Sequence, residues 1–240
     1  MSSTPNVAPE PRRRHVGPPL VPLALVGAVL FIASLVVGAS GGGPFPSPYD
    51  DATDIYAFFS DHATTVRVSA TLQFASAVPL AILAVSLSSR LRYLGFSQVP
   101  GVLIASMGGI LASSMVALSA LVQWVLSRPD VAANHAIVRP LVDLSFAIGG
   151  PGVVVFLGLL LAGVAVPAAF GRLLPRPVVI VGLLLAVAGE LGTIALLTKP
   201  AGFLIPIARF GGLAWLIAVA ALIPARRPST SAAPGAEVTA

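Results

Sequence analysis

Six long apolar segments, each closed by short polar or Pro/Gly-rich stretches, set the pattern of this chain. They run through about residues 20–39, 67–89, 101–127, 140–170, 178–198 and 203–224. Each reaches the ~20 residues that a helix needs to cross a hydrocarbon core of about 30 Å. Lipid offers the backbone no hydrogen-bond partners, so segments of this kind fold as helices. The pattern predicts an all-α polytopic membrane bundle of six transmembrane helices, with one short external helix. That helix is expected in the longest loop, about 40–66, after Gly41-Gly42-Gly43-Pro44, which cannot hold a helix. Ser47-Pro48-Tyr49-Asp50 then has the order of a helix start: a capping Ser, Pro at the first position and an acid at the third. Ile55, Phe58 and Phe59 would form its apolar side, with Asp51 and Asp54 toward water.

Composition agrees with the pattern. Of the 240 residues, 56% are hydrophobic and 10% charged, against about 25% charged in soluble domains. One membrane domain, residues 19–225, accounts for the length. Residues 1–18 and 226–240 are polar and Pro-rich and are expected to be disordered cytoplasmic tails. Cysteine is absent, which excludes disulfides, iron–sulfur clusters and thiolate metal sites. The net charge of +5 does not point to nucleic acid, because the arginines gather at helix ends and form no basic face.

The distribution of those arginines predicts orientation. With the N-terminus cytoplasmic, Arg12, Arg13, Arg14, Arg90, Arg92, Arg172, Arg176, Arg226 and Arg227 lie inside, while Arg67, Arg128, Arg139 and Lys199 lie outside. Both termini are therefore expected on the cytoplasmic side. The Arg-, Ala- and Gly-rich composition suggests a bacterial inner membrane. The competing reading at the N-terminus is a signal peptide cleaved after Val37-Gly38-Ala39, against which the apolar run from Val21 to Ala39 is too long.

Polar residues inside the spans carry the candidate chemistry. Glu190, Arg209, Asp143, Gln73 and Gln123 all fall about 5–12 Å below the outer surface, counting about 1.5 Å of rise per residue. Four-residue spacing places Glu190 with Gly182 and Ala186, Asp143 with Ala147 and Gly150, and Gln73 with Ser69, Ser76 and Ala77. Small residues mark close helix approach, so these groups are expected to point into the bundle. An ion pair of Glu190 with Arg209 is the expected arrangement, with Asp143 competing for the same cation. The five residues would form a pocket for a small solute or lipid; the alternative is a scaffold or regulatory subunit in which the same charges only fix helix register. A third class, an intramembrane enzyme with Glu190 or Asp143 as general acid or base, lacks an accompanying nucleophile or metal set. No cofactor or metal site is expected, and no phosphate-binding loop or dinucleotide fingerprint occurs.

Other features have packing readings beside sharper ones. Gly101, Ala105, Gly109, Ser113 and Ala117 form a stripe spaced by four in the third span, which suits close helix contact or a homo-oligomer interface. Gly149-Gly150-Pro151-Gly152 predicts a kink or break in the fourth span. Gly38-Ala39-Ser40-Gly41-Gly42 matches a nucleophile-elbow pattern without the strand that such an elbow follows. Asp51, Asp54, Asp61 and His62 suit either a solvated helix face or an external cation site.

The runs LIPIARFGGLAWLI (204–217) and LPRPVVIVGLLLAVAG (174–189) resemble a family of uncharacterised bacterial six-helix integral membrane proteins. The resemblance extends over about residues 20–225. It implies an inner-membrane bundle with a Pro-containing external loop and a short helix before the second span. It implies no activity and no catalytic residues.

Overall fold

The computed structural model describes residues 17–41 and 45–225. The expected terminal tails fall almost wholly outside those residues. The described chain is helical throughout: α1 (Leu20–Ala39), α2 (Ala52–Asp61), α3 (Ala63–Leu91), α4 (Pro100–Leu126), α5 (Pro129–Ala132), α6 (His135–Ala147), α7 (Val153–Phe170), α8 (Arg176–Leu191) and α9 (Leu204–Leu222). Short 3₁₀ and π-helical turns extend or join several of them. Six of the resulting helical stretches are long and apolar enough to cross a membrane: Leu20–Ala39, Ala63–Phe96, Pro100–Leu126, His135–Phe170, Arg176–Leu196 and Lys199–Leu222. Side chains such as Val29, Leu103 and Leu184, each more than 60% exposed, cover the outward faces. Exposed apolar area on that scale has no place in water.

The spans form a ring in which each packs on its neighbours in chain order, and α1 closes back on α9. α7 runs nearest the centre and touches α3, α4, α8 and α9. Loops alternate between two ends. At one end the Arg90 guanidinium donates to the Pro224 carbonyl (3.3 Å), which brings the end of α3 beside the end of α9. At the other, α2 and α5 pack across the mouths of α3, α4 and α6 through Ile55, Phe59, Val66, Leu126, Ala132, Val138 and Val142. We call this the capped end. On its surface Arg128 pairs with Asp130 (3.2 Å) and holds that carboxyl below its usual range.

Three expectations need correction or sharpening. The short helix begins at Ala52 and not near Ser47. Ser47 and Asp50 do form the reciprocal contacts of a helix start: Ser47 N–H donates to Asp50 Oδ2 (2.7 Å), and Asp50 N–H to the Ser47 carbonyl (3.0 Å). The chain then turns extended at Asp51 (φ −61°, ψ 140°). The carbonyls of Pro48 and Asp50, which a continuing helix would need, accept instead from the Arg139 guanidinium of α6. The predicted apolar and polar sides of the helix stand: Ile55 and Phe59 are buried, Asp51 and Asp54 exposed.

The fourth span is not broken. α6 passes into α7 through a π-helical turn, Ile148–Gly152, which accommodates the missing donor of Pro151 within a continuous span. The small-residue stripe of α4 is spent inside the chain. Backbone atoms of Gly101 and Ala105 come so close to Gly163 of α7 that a methyl there would lie 2.4 Å from the Ala105 nitrogen. Gly109 faces Ala84 of α3, and Ser113 is buried. A second copy would have to displace α3 or α7 to use this face.

Candidate functional site

The capped half of the ring holds a cavity of about 400 Å³, within the range of about 300–1,000 Å³ usual for ligand pockets. α1 contributes Phe31, Ser34 and Gly38; α3 contributes Ser69 and Gln73; α4 contributes Ser119 and Gln123. α6 adds Val142, Ser145 and Phe146, the π-helical turn adds Gly149 and Gly150, and α9 adds Ile205 and Arg209. Leu35 and Ala39, both exposed, form its rim beside α1.

Each lining side chain is placed by the buried row of its helix. On α3 that row runs Val66, Ser69, Ala70, Gln73, Ser76 and Ala77; on α4 it runs Val116, Ser119, Ala120 and Gln123. These spacings of three and four keep the polar groups on one inward stripe. The serine hydroxyls are mostly committed to carbonyls: Ser34 to Phe31 (2.6 Å), Ser69 to Ser34 (2.7 Å) and Ser119 to Ser145 (3.2 Å). The Gln123 amide donates to Ser119 Oγ (3.4 Å). The serines therefore present lone pairs to the cavity, whereas the Gln73 amide keeps its donors, having no hydrogen bond among the described residues.

Among the described residues Arg209 is the one charged residue lining the cavity. Its guanidinium lies over the Phe31 ring, 5.6 Å from the centroid. Nε and Nη2 are sealed from solvent and have no hydrogen-bond partner among the described residues. Below Arg209 the bundle narrows to an apolar cleft of about 30 Å³ between α1, α3 and α9, lined by residues such as Leu23, Leu80 and Leu213. That is room for about one water.

Of the five expected site residues, the structure brings together Gln73, Gln123 and Arg209. Glu190 and Asp143 lie elsewhere, and the expected Glu190–Arg209 ion pair does not form. The buried row of α8 runs Val179, Gly182, Ala186, Gly189. Glu190 is one residue past Gly189, about 100° around the helix, and this turns it outward. It is exposed, with its carboxylate on the seam with α7, 3.1 Å from where a methyl on Gly158 would stand. Asp143 is likewise one residue past buried Val142, and it pairs with Arg139 one turn back (3.5 Å).

That pair belongs to a clasp over the cavity. Arg139 donates to the carbonyls of Asp50 (3.4 Å) and Pro48. It thereby pins the segment 45–51, whose Phe45 ring lines the cavity and stacks edge-on against Phe58 and Phe59. Tyr49 of the same segment rests against Phe146, and Lys199 lies 5.2 Å from its ring centroid. Sequence reasoning missed Arg139, Phe45 and Phe31. The serines at 34, 119 and 145 carried a visible signal, being polar positions on the small-residue faces of apolar spans. Among the described residues no group of three or more His, Asp or Glu side chains is placed to hold a metal ion, and Asp51, Asp54, Asp61 and His62 do not gather into one.

No family model matches the chain, and neither a curated protein nor a solved structure matches it.

Proposed function

We propose that this chain is a multi-pass protein of the bacterial cytoplasmic membrane that binds a small solute or lipid headgroup in its internal cavity, in the manner of a carrier. The capped end faces outward in this reading, and both termini are cytoplasmic. The observation that carries it is the cavity of about 400 Å³ with serine, glutamine and arginine side chains in its wall, the arginine having no hydrogen-bond partner for Nε or Nη2 among the described residues. Charge in the hydrocarbon region costs about 2.5–3.5 kcal/mol on insertion scales. A structural charge would be expected to recover that through a fixed counter-ion, and the acids available at similar depth are turned away. The cleft below Arg209 is narrow and apolar, and in this reading the ligand enters from the capped end. Because no carboxylate among the described residues lines the cavity, an acid–base enzyme using Glu190 or Asp143 has no support from this geometry.

The test uses the absence of native cysteine. Ser145→Cys places a near-isosteric thiol in the cavity wall, and Ala112→Cys, at a position 0% exposed, is the dry control. A charged, water-soluble thiol reagent added to intact cells should label the first and spare the second. Equal silence at both positions would make the cavity a sealed packing defect and end the proposal.

A further inference from the structure

We infer that the ligand of this cavity is an oxyanion, a carboxylate or a phosphate group, gripped by the guanidinium of Arg209. The inference rests on the cavity being a binding site. It goes further by naming the charge and shape of what binds. Three observations converge on it. Among the described residues the lining contains one cation and no acid. Two of the arginine's nitrogens, Nε and Nη2, have no acceptor among the described residues and are sealed from the open space of the cavity. Turned into that space by a side-chain rotation, the guanidinium fork matches the paired oxygens of a carboxylate or phosphate, which it can hold through two parallel hydrogen bonds.

The neighbours favour the same class. The Gln73 side-chain amide has no hydrogen bond among the described residues and can turn its NH₂ group to an anion from the α3 wall. Phe31 covers one face of the guanidinium. Ser34, Ser69 and Ser119 have spent their protons on backbone carbonyls, so a cationic or strongly donating ligand would find acceptors there but would face the uncompensated charge of Arg209. In a low-dielectric setting that repulsion is large, and an anion removes it.

The oxyanion has two possible sources, a free solute or the headgroup of an anionic lipid, and the experiment separates them. Protein carrying Ser145→Cys is purified in neutral detergent, and its labelling rate is measured at constant ionic strength. One arm titrates sodium phosphate or acetate against chloride. The other adds phosphatidic acid to phosphatidylcholine–detergent micelles. Saturable protection is expected. At ten times the dissociation constant the free fraction, and with it the labelling rate, falls about elevenfold. Protection by phosphate or acetate identifies a free anion; protection by phosphatidic acid alone identifies a headgroup. Arg209→Met should abolish the protection, and Arg209→Lys should retain part of it. If Arg209→Met fails to fold, the saturable titration of the Arg209 protein still decides.

A Ser145→Cys thiol that labels readily and is protected by none of the three probes would overturn the oxyanion while leaving the cavity reading intact. Equal protection in Arg209→Met would do the same, because it would report a general salt effect. A thiol that never labels removes both readings together.

Discussion

At the scale of single residues, two arginines in this bundle have opposite fates. Arg209 borders a cavity with Nε and Nη2 unpartnered among the described residues, whereas Arg139 holds two carbonyls of the segment 45–51 and pairs with Asp143. Hydrogen bonds from a charged donor contribute about 1.5–3 kcal/mol each when buried, and less at this half-exposed position. Arg139→Ala should therefore loosen the segment. Hydrogen exchange of 45–51 is expected to rise and Ser145→Cys labelling to quicken. Asp143→Asn should change both only slightly, since an exposed pair contributes about 0–1 kcal/mol. Unchanged exchange in Arg139→Ala would show that the aromatic contacts of Phe45 hold the segment alone. Counting from the helix ends puts Gln73, Gln123 and Arg209 at similar heights, and the structure brings these three to one cavity. The sequence did not make the direction of Glu190 or Asp143 legible. One residue of offset from the buried row turns a side chain by about 100°, and the row itself is set by which neighbour a helix meets.

At the scale of elements, the spans were legible to within a few residues, because a long apolar run has one stable form in lipid. The start of α2 was not. Its local signature forms, yet a guanidinium from α6 competes for the carbonyls and wins. An irregularity at Pro151 is legible from the Gly-Gly-Pro-Gly run, and it takes the form of a π-helical turn packed against α4. Where α4 meets α7 the backbones are in near contact, and this yields a sharp expectation. Gly163→Ala would press a methyl onto the Ala105 nitrogen, a backbone atom that has no rotamer with which to yield. A loss of about 1–3 kcal/mol, or failure to accumulate in the membrane, should follow. Gly202→Ala, with nothing within 4 Å, is the matched control and should be neutral. Equal melting temperatures for the two would mean that α4 and α7 pack less closely than described.

At the scale of the whole molecule, an even number of spans returns both ends of the chain to one side. Arg90 and Arg92 around the end of α3, and Arg172 and Arg176 around the start of α8, mark that side together with the basic terminal segments. A fluorescent protein fused after Ala225 should glow and a periplasm-dependent phosphatase at the same point should stay inactive; the reverse pair of results would invert the orientation. The ring also has a consequence for biogenesis. Phe31 on α1 and Arg209 on α9 lie together, so one wall of the chamber is missing until α9 has been made. A nascent chain arrested before α9 would already own all four lining serines and both glutamines, yet lack the cavity's guanidinium. In the proposed reading, binding would thus switch on only once α9 is in place.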